Sequence, residues 1–143
     1  MIEKRYTPKE VYMVKIDRGE DLLKTVTAFV EEKNITSGYV NIMGLSQNAK
    51  FAYYNIETKI YEELARDDRY FEIVQCTGNV SIKDGKPFPH LHIAFGDRNG
   101  KIFGGHLLVG TIVEIGEVVI QTFDGEPMIR EFDDWYKLTP WKK

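Results

Sequence analysis

Polar and apolar positions alternate in short runs over most of the chain. This period of two predicts strands at residues 11–16, 39–43, 50–54, 59–64, 70–76, 79–82, 91–95, 101–109, 111–115, 118–123 and 128–132. The runs are rich in β-branched and aromatic residues, which fit a pleated, half-buried surface. One stretch follows a helical period instead. Leu22, Leu23, Val26, Phe29 and Val30 fall three and four apart, as a single buried stripe requires. Glu20 and Asp21 stand before it, at the positive end of the helix dipole, and Lys33-Asn34 supplies a stop. Asp84-Gly85 and Asp97-Arg98-Asn99-Gly100 read as tight turns, with Gly110, Gly116 and Gly125 as further breaks. Strands this frequent around one early helix predict an α+β domain with a mainly antiparallel sheet.

The 143 residues suffice for a single domain, 1–143, without repeats or linkers. Hydrophobic residues at 43% and aromatics at 13% supply a core and exclude a disordered chain. The net charge of −3 is spread evenly: residues 1–60 carry 9 basic and 8 acidic groups, residues 61–143 carry 10 and 14. Neither half offers the clustered Lys/Arg that phosphate neutralisation needs, so DNA is not an expected partner of this chain alone. Cys76 is the only cysteine, which excludes an internal disulfide. The N-terminal residues lack an apolar signal-type region, and no run approaches a membrane span, so the expectation is a cytoplasmic protein without membrane contact. Both tryptophans lie in the segment from Asp133 to Trp141, which reads as a tail packed on its own sheet or as part of a subunit interface.

His90, His92 and His106 are the only histidines and fall within seventeen residues. His90 and His92 form H-x-H in a predicted strand, so both imidazoles point to one face, about 6–7 Å apart. If Asp97 pairs with Lys101 around a three-residue loop, with Gly100 left-handed, His106 stands opposite His92 on that same face. A two-residue Asn99-Gly100 turn would instead set His106 opposite Ile93, on the far face. A bulge at Gly104-Gly105 would restore it; paired glycines in a strand mark a bulge or a close backbone approach. Three imidazoles form a ligand set for Zn²⁺, and also for Ni²⁺, Co²⁺, Cu²⁺ or Fe²⁺, with availability favouring zinc. Such a site keeps a coordination position open for the polarising chemistry of a hydrolase or lyase. Glu72, Asp97 and Asn41 are candidates for an accompanying acid or base, each also readable as a surface or turn residue. Cys76 reads either as a soft fourth ligand or as a small core residue. Nucleotide-binding loops and a serine nucleophile elbow are absent.

The string Pro87-Phe88-Pro89-His90-Leu91-His92, followed by Gly96-Asp97-Arg98-Asn99-Gly100 and Gly104-Gly105-His106-Leu107, resembles the PPC domain shared by plants and prokaryotes. Gly19-Glu20-Asp21-Leu22-Leu23, Tyr70-Phe71-Glu72-Ile73-Val74 and Gly110-Thr111-Ile112-Val113-Glu114 extend the match to about residues 8–125, leaving 126–143 as a C-terminal extension. The resemblance implies an α+β homotrimer in which His90, His92 and His106 are metal ligands. In plants the domain accompanies AT-hook motifs of DNA-binding proteins, but this chain has no such hook and no basic arm. Two readings follow. The first is a zinc-binding homotrimeric domain that binds or transforms a small ligand. The alternative is an oligomerisation and interaction module linked to transcription or DNA binding, with a structural or incidental metal.

Overall fold

A computed structural model describes residues 1–67 and 69–142, which form nine strands and one helix. In chain order these are β1 (Thr7–Ile16), α1 (Leu22–Glu32), β2 (Gly38–Ser46), β3 (Ala49–Asn55), β4 (Ile60–Arg66), β5 (Phe71–Lys83), β6 (Lys86–Gly96), β7 (Ile102–Leu107), β8 (Val113–Asp124) and β9 (Ile129–Arg130). The sheet runs β1-β8-β2-β5-β6-β7-β3-β4, with antiparallel pairing at each step, while β9 pairs in parallel with the end of β5. The α+β expectation with a mainly antiparallel sheet holds. Two pairs of predicted strands are single strands: β5 runs through Gly78, and β8 runs through Gly116. Glycine weakens a strand but keeps both backbone hydrogen-bonding groups, so neighbouring ladders carry the chain across it.

The helix begins where the acidic residues predict. The Asp21 carboxylate accepts the Lys24 N–H at 3.0 Å and also the Gly110 N–H at 2.6 Å, tying the N-cap to the segment before β8. Asn34, at φ 49°, turns the chain away at the other end. Leu22, Val26 and Val30 bury the helical stripe in a core shared with Val40, Ile42, Leu91, Ile93, Phe95, Val118 and Ile120 of the sheet. None of the described helical residues forms a helix long and apolar enough to cross a membrane.

Alternation then sends the intervening residues to the opposite face. Direct pairing lines up Met13, Val119, Asn41, Thr77, His92, His106 and Ala52 in one row across seven strands. Met13 is 84% exposed, and Met43 and Tyr39 on the same side are exposed as well.

Candidate metal centre

His90 and His92 stand on β6, and His106 stands on β7 directly opposite His92. Turn chemistry sets this register. The Asp97 N–H donates to the Lys101 carbonyl at 3.0 Å, closing a three-residue loop with Gly100 at φ 75°. The Asp97 carboxylate accepts the N–H groups of Asn99 and Lys101 at 2.8 and 2.9 Å. The Gly104-Gly105 pair marks a close approach of strands: a Cβ on Gly104 would meet the Ile93 carbonyl oxygen at 1.9 Å.

The three imidazoles form a triangle with ring centroids 5.0 to 5.5 Å apart. One nitrogen from each lies within 4.8 Å of the others, a group that can hold a metal ion. Tetrahedral zinc keeps its nitrogen ligands about 3.4 Å apart, so ring rotations of about an ångström close the set. Nδ1 of His106 is buried without a hydrogen-bond partner among the described residues, so no protein group competes for that nitrogen. Electrostatics favour the ligating form. Burial, reinforced by Arg130 and the neighbouring imidazoles, pushes His90 down to about 4. His106 is likewise pushed down to about 4, first by burial and then by His92 and Arg130. Burial lowers His92 too. These shifts favour neutral rings at pH 7, each with one lone pair, that of His90 Nδ1 being engaged by Arg130.

The surroundings contain groups that motif reading missed. Beyond β9 the chain folds back through bridges between Arg130 and Trp141 and between Asp133 and Leu138. This tail forms one wall of a cleft of about 800 Å³ that His90 and His106 also line. The buried Arg130 side chain donates from Nη2 to His90 Nδ1 at 3.2 Å. Tyr61, from β4, stacks on His106 with centroids 5.0 Å apart. Burial and the nearby Tyr54 raise its phenol above the ordinary tyrosine value, so it keeps its proton. Arg130 carried one weak signal, a charge at a buried position of a short apolar run. Tyr61 carried none, because its approach depends on the pairing of β3 with β7.

Other expected groups lie elsewhere. Cys76 faces the core, where burial pushes its thiol up to about 12, so it is a core residue and not a fourth ligand. Asp97 is occupied as the turn cap, and its backbone hydrogen bonds hold it below the usual carboxylate range. Glu72 pairs with Gly96, four residues along β6 from His92 and therefore about 13 Å away by strand rise. Asn41 shares the histidine row, with Thr77 between it and His92.

The model of the Plants and Prokaryotes Conserved (PCC) domain matches residues 3–124. The chain belongs to this family. The PCC (or PPC) match spans the helix and all three histidines and leaves the tail with Arg130 outside. Among solved structures, the chain is similar to a PPC protein of Pyrococcus horikoshii, at 30% identity and TM-score 0.92, over 100% of this chain and 98% of that one. It is similar to a metal-containing protein of Archaeoglobus fulgidus, at 32% identity and TM-score 0.93, over the whole of both chains. A candidate DNA-binding protein of Bacteroides thetaiotaomicron aligns at 29% identity and TM-score 0.85, over 96% of each chain. No curated protein matches the sequence.

Proposed function

We propose that this PPC-domain protein binds zinc through His90, His92 and His106, assembles as a homotrimer, and binds or transforms a small ligand at the open side of the ion. One observation carries the reading: three imidazoles converge from two strands, and one of their nitrogens is buried without a partner. The metal-containing relative from Archaeoglobus fulgidus, alike over its full length, supports it. Held by His90, His92 and His106, a zinc ion would supply a Lewis acid for a ligand oxygen. Tyr61 presents a protonated phenol from the stacked position on His106, a hydrogen-bond donor toward whatever occupies the cleft. The homotrimer reading draws on the exposed Met13, Met43 and Tyr39, which share the sheet face with His92. A neighbouring chain seated on that face would adjoin the ion.

Elemental analysis of purified protein beside a His92→Ala variant tests the metal. The expected result is about one zinc per chain, lost in the variant, with light scattering giving three times the 16.6 kDa chain mass. Stoichiometric metal persisting in the variant, or none after zinc addition, would refute the site. The Bacteroides relative favours a second reading, an interaction module tied to DNA. A gel shift with mixed duplex at about 50 mM salt decides it, because binding through phosphate contacts is strongest at low salt.

A further inference from the structure

Arg130 is 8% exposed, yet its described neighbours are all neutral. Its Nε donates to Ser81 Oγ at 2.8 Å, Nη1 to the Thr139 carbonyl at 3.2 Å, and Nη2 to Asn79 Oδ1 at 3.1 Å and to His90 Nδ1 at 3.2 Å. A guanidinium has five N–H donors, so one on Nη1 is left over. The donor aimed at His90 competes with any ion for that nitrogen's lone pair, and metal binding there would release it. Among the described residues no carboxylate pairs with Arg130, although an uncompensated buried charge is strongly disfavoured. The cleft repeats the sign. Lys83 extends over the Phe88 ring at 5.0 Å, Lys137 pairs with the exposed Asp134 at 3.0 Å, and among the described residues no aspartate or glutamate lines the walls. This occurs in a chain of net charge −3.

We propose that the cleft binds a small organic acid, its carboxylate held by Arg130 and a further oxygen reaching the ion on the histidines. The second contact rests on the metal reading above; the first needs it only for its second donor, the one an ion would release from His90. Two N–H donors on the terminal nitrogens of one guanidinium match the two oxygens of a carboxylate. Phe88, Phe132 and Trp141 line the cleft and, apart from the indole N–H, offer no hydrogen bonds to a third and fourth charged oxygen. Arg130 lies over two of these rings at 5.6 and 5.7 Å, so a planar carboxylate on a short carbon skeleton fits better than a phosphate. Arg130 lies one hydrogen bond from His90, so a molecule touching both it and the ion needs only a few atoms.

Isothermal titration with pyruvate, and separately with inorganic phosphate, tests this on the full chain, zinc-loaded and EDTA-treated. The expected result is pyruvate binding to the zinc-loaded wild type, about tenfold weaker in Arg130→Lys, which keeps the charge and loses the fork. Lys83→Ala is expected to weaken it about two- to fourfold through lost long-range attraction. The EDTA-treated wild type is expected to retain weaker, Arg130-dependent binding. Should Arg130→Lys fail to fold, the Arg130 Nε–H resonance of the wild type is expected to shift on adding pyruvate. Absent pyruvate binding, affinity within twofold in a folded Arg130→Lys, an unmoved resonance, or tighter binding of phosphate than of pyruvate would overturn the proposal. Arg130-dependent binding in protein that takes up no zinc would sink the metal reading and uphold the Arg130 contact. One zinc per chain without Arg130-dependent binding would overturn the Arg130 contact and leave the metal reading standing.

Discussion

A single methyl group at Gly78 tests the sheet beneath the histidines. Gly78 pairs with Leu91, between the rows that carry His90 and His92. In Gly78→Ala the new Cβ would lie 1.8 Å from the His90 carbonyl oxygen and 2.8 Å from its carbon. Carbon and oxygen settle at about 3.3 Å, so β5 and β6 must part locally by about 1.5 Å. Ladder bonds of about 2.9 Å then stretch past 4 Å and are lost. Two such bonds at about 1 kcal/mol each, with about 1 kcal/mol more for each of the one or two freed groups that water does not reach, give a loss of about 3–4 kcal/mol. That is a large share of the roughly 5–15 kcal/mol typical of a domain. Urea unfolding of metal-free protein reads it directly, with the midpoint expected to fall by about 2 M. Gly85→Ala is the control: its φ of 77° strains alanine, but nothing lies within 4 Å of the added carbon, so the loss should be about 1 kcal/mol. A Gly78→Ala protein as stable as that control would refute the close approach.

Acid should destabilise the metal-free protein in a defined window. His90 and His106 titrate at about 4 when folded, against 6.5 for an unhindered imidazole. Their contribution is complete above pH 6.5, is lost as pH falls toward 4, and is flat below. It amounts to about 1–2 kcal/mol per histidine after solvent screening, readable as a melting-temperature profile that His90→Gln flattens. Asp21→Ala removes the bonds to Lys24 and Gly110 together; it should lose about 2 kcal/mol and lower the melting temperature by about 4–8 °C by calorimetry. Cys76, buried and with a thiol pushed up to about 12, should resist iodoacetamide at pH 8 in native protein and react only once urea unfolds the chain. Rapid native labelling would place it outside the core.

Parts of the site governed by local chemistry were legible in the sequence. Asp97 caps its own turn and Gly100 takes the left-handed position, so four residues dictate the pairing that sets His106 opposite His92. The helix was legible for the same reason, since Asp21 and the stripe from Leu22 to Val30 act within one element. Arg130 was not, because it reaches His90 only after β9 docks beside Ile82 and Lys83 and the tail folds back to Trp141. The predicted strands stop on either side of Gly78 and Gly116 because propensity is a local quantity, whereas pairing on both sides of β5 and β8 is not. Of the two readings of Glu72, an acid beside the histidines or a surface residue, its pairing with Gly96 favours the second, a distinction that only the register of β5 on β6 makes.

All three imidazoles belong to one hairpin, β6 and β7, and this bears on folding as much as on ligand binding. The chain between His92 and His106 is short, and the entropy lost in closing a loop grows only as about (3/2)RT ln n. An unfolded chain therefore keeps a usable chelating segment, and ion captured in the denatured ensemble subtracts from the stabilisation that native affinity alone would give. The same capture draws His92 and His106 together before the long-range strands have met. Zinc should accordingly steepen the approach to the native state, raising the refolding rate through early formation of this hairpin, while Arg130 and the tail join only after the sheet is built.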